Sequence, residues 1–163
     1  MKKQPEMTDK TRNTIVEAFC EMYEEMPIEK IYVKDVIERA GYNRSTFYKY
    51  FADIYCLLDY VENDIINSIQ ARIKESGNNA AELMGFFEQK EVYLKALLGS
   101  YGRIHFLDKL KNELFQYLDL QLIEVEDSIK PYVMEFHMYT TISIFSFVFQ
   151  VRSSIKNGIH FFS

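Results

Sequence analysis

The stretch Gly41-Tyr42-Asn43-Arg44-Ser45-Thr46-Phe47-Tyr48-Lys49-Tyr50-Phe51 constrains the fold more than any other part of the chain. Directly before it, Val33, Val36, Ile37 and Ala40 recur three and four apart, which places them on one face of a short helix. Glycine at 41 ends that helix, because it takes the left-handed backbone of a sharp C-terminal turn without strain. Asn43 suits the N-cap of a second helix, to be formed by Arg44 to Tyr50. Phe47 and Phe51, four apart, share a face and can bury against the first helix. Arg44, Ser45, Thr46, Tyr48, Lys49 and Tyr50 are left outside. That set offers donors for phosphate oxygens and base edges and contains no acid. Two helices joined by a short Gly-containing turn describe a helix-turn-helix.

With these residues in register, Ile31 to Phe51 resembles the DNA-binding domain of the TetR family of transcriptional regulators. Gly41, Phe47, Tyr48 and Phe51 stand where that family has its Gly, Phe, Tyr and Phe. The similarity runs over roughly residues 9 to 65, about a third of the chain. It implies DNA contacts at Tyr32 or Lys34 and at Arg44, Ser45, Thr46, Tyr48 and Lys49. Arg44 and Lys49 are the candidates for guanine edges or phosphates. Ser45, Thr46 and Tyr48 are candidates for phosphates and register. Relatives often carry a lysine at the start of the next helix; Ile54 stands there, which leaves only that helix's amides for a phosphate. The resemblance further implies a repressor that binds a pseudo-palindromic operator as a homodimer and is released by a small effector in the C-terminal part. Such proteins usually carry one more helix beyond Ile155 to Gly158, where this chain has Ile159 to Ser163. The dimer is then remade from the last full helix and the Phe161-Phe162 tail, or its interface is weakened.

Charge at first argues against nucleic acid. The net charge is −5 over 163 residues, and residues 1 to 65 hold nine Lys or Arg against thirteen Asp or Glu. DNA contact depends on where the positive charges sit, whereas net charge governs solubility and long-range steering. Lys2, Lys3, Lys10, Arg12, Lys34, Arg44 and Lys49 can gather on one surface. Glu17, Glu21, Glu24, Glu25, Asp59, Glu62 and Asp64 belong to longer helices behind the motif. A dipolar domain with salt-dependent affinity is the expectation.

The chain as a whole reads as all-α, with a helix-turn-helix domain over 8–53 and a helical effector-binding and dimerisation domain over 54–163. Only three prolines and six glycines interrupt it. Thr8 or Asp9 caps a first helix that ends before Pro27, and Ile31 plugs the core of the small domain. Asp53 caps a long helix whose stripe is Ile54, Leu57, Leu58, Val61, Ile65, Ile69 and Ile73. Ser76-Gly77-Asn78-Asn79 is the clearest break. Short helices follow over about 80–89 and 90–98, and a long one over about 103–126. Pro131 opens the last, about 132–156, which is apolar nearly all round from Ile142 to Val151. A helix apolar on all sides must be covered on all sides, so a second copy is expected against it. The β-branched and aromatic run from Thr141 to Val151 also reads locally as a strand, but its flanks are helical and no partner strand is visible.

Little else in the sequence carries chemistry. His105, His137 and His160 lack metal-ligand spacing, and no Ser-His-Asp set, phosphate loop or paired carboxylates stand out, so neither catalysis nor a metal or cofactor is expected. Cys20 and Cys56 make no disulfide framework and are expected as small buried residues; a thiol-based sensor is the minority reading. Phe86, Tyr93, Phe106, Tyr117, Gln121, His137 and Phe145 are the candidates for lining an apolar effector cavity, although a stripe of aromatics at helical spacing is more often core. The alternative is a regulator without a ligand, whose C-terminal part only dimerises or binds a protein. Residues 1–10 carry no signal-peptide pattern, and the uncharged run from Phe136 to Val151 is short for a bilayer, so a cytoplasmic location is expected.

Overall fold

The computed structural model describes residues 5–76, 85, 86, 88–114, 126–133, 135, 136, 139, 140, 143 and 147. The fold is all-α, with no strand among the described residues. Helix α1 spans Pro5–Glu25, α2 Val33–Ala40, α3 Arg44–Phe47, α4 Ile54–Ser76, α5 Glu91–Leu98 and α6 Arg103–Leu114, with a 3-10 turn at Ile28–Lys30.

Local chemistry explains most of these limits. Helix α1 starts at Pro5, earlier than a Thr8 or Asp9 cap would have it; proline's fixed φ suits a first turn. Asp9 lies inside the helix and pairs with Arg12 at 2.7 Å. Pro27, with extended backbone, closes the helix off. Ile31 is buried as expected. The predicted break after α4 begins on schedule at Ser76, while Gly77, Asn78 and Asn79 lie outside the described residues.

Two compact units form, Met1–Leu110 and Lys111–Ser163. In the first, α1 packs on α2 and, more extensively, on α5, and α4 also meets α5. Ile15, Phe19 and Met22 of α1 are buried, as are Val36 and Ile37 of α2 and the α4 stripe Ile54, Leu57, Leu58, Val61 and Ile65. Burying such side chains stabilises by roughly 1.5–3 kcal/mol each. Ile69, further along the stripe, is only half-buried, and the side chain of Ile73 lies outside the described residues. Helix α5 belongs to the motif's own unit, with Leu94, Ala96 and Leu97 as its buried side.

The turn from Gly99 to Gly102 folds tightly back on the end of α5. A Cβ on Gly102 would lie 2.8 Å from the carbonyl oxygens of both Ala96 and Leu97. The Tyr23 hydroxyl of α1 donates to the Tyr101 carbonyl in that turn at 3.4 Å.

In the second unit, residues 130–133, 135, 136, 139, 140, 143 and 147 are helical, and Pro131 sits in the first turn as expected. Lys111 pairs with Glu135 at 3.1 Å. Most of the expected helix over 80–89, the part of the long helix beyond Leu114, most of the Ile142 to Val151 run and the Phe161-Phe162 tail lie outside the described residues. No helix among the described residues is long and apolar enough to cross a membrane.

Candidate nucleic-acid interface

The pair α2 and α3 is set by two local devices. Gly41 takes φ +72°. Its N–H donates to the Glu38 carbonyl at 3.2 Å, and the N–H of Tyr42 donates to the Ile37 carbonyl at 2.9 Å. These two bonds satisfy carbonyls that the helix end leaves free, and they turn the chain sharply. Asn43, in extended backbone, then caps α3. Its Oδ1 accepts from the Thr46 N–H at 3.0 Å, the Thr46 hydroxyl at 3.0 Å and the Ser45 hydroxyl at 2.6 Å.

This cap changes the roles expected for two residues. The hydroxyl protons of Ser45 and Thr46 are engaged by Asn43, so neither is free to donate to a phosphate. Their oxygens keep lone pairs that can accept from base amino groups. Thr46 is also only half-exposed.

Helix α3 is shorter than the expected Arg44 to Tyr50. It stops at Phe47, because Lys49 and Tyr50 donate to the carbonyls three residues back, Thr46 and Phe47. Phe47 is fully buried. Its ring meets Tyr48 edge-on at 5.5 Å and Phe51 at 5.7 Å, and Phe51 meets Tyr60 of α4 at 5.4 Å. The aromatic chain fixes the short helix from behind and ties it to α4. Outside stand Tyr32, Lys34, Arg44, Ser45, Tyr48 and Lys49, all exposed.

Electrostatics single out the cations of this face. Elsewhere in the first unit positive side chains are matched: Arg39 with Glu21 and Glu25 at 3.6 and 3.9 Å, Lys90 with Asp64 at 2.6 Å, Lys95 with Glu91 at 3.0 Å. Among the described residues, Lys34, Arg44 and Lys49 form no ion pair.

The start of α4 is not a free anion site. Asp53 caps it, its Oδ1 accepting from the Cys56 N–H at 2.8 Å. That bond holds its carboxyl below the ordinary range, so a negative charge stands where a phosphate was expected to meet bare amides.

The expected effector cavity is not assembled by its described members. Phe86 and Phe106 are 2 % and 1 % exposed and belong to the core. Tyr93 is half-buried, with the Lys90 ammonium 4.9 Å from its ring centre. Burial, with acids nearby, pushes its hydroxyl pKa up. Tyr117, Gln121, His137 and Phe145 lie outside the described residues, as does His160.

Of the two thiols expected to be buried, Cys20 is, and burial raises its pKa; Cys56 is exposed in the first turn of α4. No group of three or more His, Cys, Asp or Glu able to hold a metal occurs among the described residues.

Two features escaped the sequence reading. Glu62, expected on a solvated face, is 1 % exposed and bonded to His105 and Lys109. The four-residue spacing of His105 and Lys109 was the available signal. In the second unit, Phe136, Tyr139, Thr140, Ser143 and Phe147 line an open groove of about 520 Å³, with Phe136 73 % exposed. No family model, curated protein or solved structure matches this chain.

Proposed function

We propose that the chain is a sequence-specific DNA-binding transcriptional regulator, a repressor of the TetR type. The observation that carries this reading is the contrast in pairing. Lys34, Arg44 and Lys49 stand exposed and without ion pairs among the described residues, on a helix pair held from behind by Phe47 and Phe51. The remaining cations of that unit's helices are largely matched to acids. Charges left free in this way serve an anionic partner, and the spacing of short helix, turn and short helix suits a duplex groove. Arg44 and Lys49 take guanine edges or phosphates, Tyr32 and Tyr48 reach phosphates, and Ser45 and Thr46 accept from bases while capped by Asn43.

A homodimer is part of the reading. Tyr132, Phe136, Tyr139 and Phe147, spaced at helical intervals and exposed, form an apolar stripe in the second unit that a second copy covers. Two copies present two α3 helices to successive half-sites of a pseudo-palindrome.

Release by a small effector is the fuller version of this reading. The packing of Phe86 and Phe106 into the core favours the other version, a regulator whose C-terminal part dimerises or binds a protein and takes no ligand.

Fluorescence anisotropy against DNA from upstream of the chain's own gene, with scrambled DNA as control, tests the proposal. Selective binding at two chains per site is expected. Equal, weak binding to both DNAs sinks it. Lys49→Ala is expected to weaken selective binding about tenfold, the scale of one charged contact.

A further inference from the structure

Glu62 is the one buried charged residue among the described residues, and nothing in the DNA-binding face uses it. It lies on α4 between Val61, fully buried, and a further apolar run at Ile65 and Ile66. Its two oxygens are held separately, both from α6. His105 Nδ1 donates to Oε1 at 2.8 Å, and Lys109 Nζ donates to Oε2 at 2.9 Å. Lys109 also reaches Asp59, one turn back on α4, at 3.1 Å. The two donors differ in setting: the His105 side chain is 66 % exposed, whereas that of Lys109 is 24 % exposed.

A buried carboxylate is a poor way to gain stability. Taking it from water costs several kcal/mol, and a hydrophobic residue of similar volume at such a site is often neutral or better. What the carboxylate adds is a single permitted register. His105 and Lys109, four apart, lie on one face of α6 and meet one oxygen each. If α6 slides by a turn along α4, at least one oxygen is left buried without a donor.

Helix α4 is continuous from Glu62 back to Ile54, a span of about 12 Å at 1.5 Å per residue. Tyr60, one half-turn before Glu62, touches Phe51, which touches Phe47 in α3. A contiguous packed path therefore runs from the clip to the helix that carries Arg44.

We propose that Glu62 is a positioning residue for DNA recognition: gripped by His105 and Lys109, it fixes the setting of α4 and, through Tyr60, Phe51 and Phe47, the pose of α3. The inference rests on the regulator reading for its outcome on DNA, but the clip itself can be read without DNA.

The test uses the full chain with Glu62→Leu and, separately, His105→Ala, whose exposed ring can be removed without opening the core. Cys56 carries a polarity-sensitive fluorophore; Cys20 is buried and stays unlabelled. Glu62→Leu is expected to keep or raise Tm while weakening binding to the upstream DNA at least tenfold. It should also shift the Cys56 emission and speed amide exchange over residues 44–51. His105→Ala should move the same readouts in the same direction by a smaller amount.

A residue serving stability alone would lose Tm and DNA affinity together. Affinity within twofold of wild type, with unchanged emission and exchange in a folded variant, overturns the proposal. If Glu62→Leu does not fold, His105→Ala decides by the same criteria. If the wild-type chain shows no preference for the upstream DNA, the regulator reading fails by itself. Faster exchange over 44–51 in the variants then still supports the clip, and unchanged exchange overturns it.

Discussion

Asn43 concentrates three donors on one carbonyl oxygen, and it does so next to the residues that face outward. Its removal acts on stability and on recognition at once, and two substitutions separate them. Asn43→Ala loses the cap and is expected to cost about 1 kcal/mol, read as a lower Tm or urea midpoint. Asn43→Asp keeps an acceptor for the Thr46 N–H, so stability should change little. It adds a negative charge beside Arg44, so DNA affinity should fall well below that of the alanine variant. Equal affinity in the two variants would mean that residue 43 does not face the phosphates. Gly41, Asn43, Phe47 and Phe51 were all legible in the sequence, because φ preference, capping and four-residue spacing act within a single turn of chain. The engagement of the Ser45 and Thr46 hydroxyls was not, since it depends on which way three small side chains rotate.

Element by element, the turn between α5 and α6 is the tightest place. The carbonyl oxygens of Ala96 and Leu97 and the Cα of Leu97 stand within 3.0 Å of where a Cβ on Gly102 would be. These are backbone atoms and cannot rotate away. Gly102→Ala is expected to cost roughly 1–3 kcal/mol, measured by thermal or denaturant unfolding.

The clip between α4 and α6 has its own signature in pH. Burial alone would lower the Lys109 pKa, but hydrogen bonds from its ammonium to Glu62 and Asp59 outweigh it and raise the value. A raised folded-state pKa means stability that is fully present below the unfolded value of about 10.4. It is lost as pH rises through the higher folded value. The Tm difference between wild type and Lys109→Met should therefore be constant from pH 7 to about 10 and shrink above that. A difference that does not change with alkaline pH would show that the ammonium charge contributes nothing.

At the scale of the whole molecule, a chain of net charge −5 must hold DNA through a few well-placed cations. If Lys34, Arg44 and Lys49 of two copies each meet one phosphate, log affinity should fall with log salt at a slope of about −5. Lys49→Ala removes one contact per copy and should reduce that slope by about 2. Anisotropy titrations over a fourfold range of salt measure both. An unchanged slope with weakened affinity would place Lys49 on a base edge or away from the DNA. Dimerisation enters the same measurement, since a monomer would give half the slope.

What the sequence determined by itself is the set of features that close within a few residues. These are the all-α character from helical periodicity, the Gly41 turn, the Asn43 and Asp53 caps, the Pro27 stop, and an acid-free outward face. Tertiary structure decided what depends on residues far apart. It ended α3 at Phe47, where the aromatic contacts with Tyr48 and Phe51 lock the turn. It brought α5 onto α1, and it drew Phe86 and Phe106 out of the expected cavity lining and into the core. It also buried Glu62, because two donors from α6, more than forty residues onward, arrive to satisfy it. A glutamate's own neighbours in sequence make it look solvated. Whether its charge can be taken out of water depends on a partner that only the folded chain supplies.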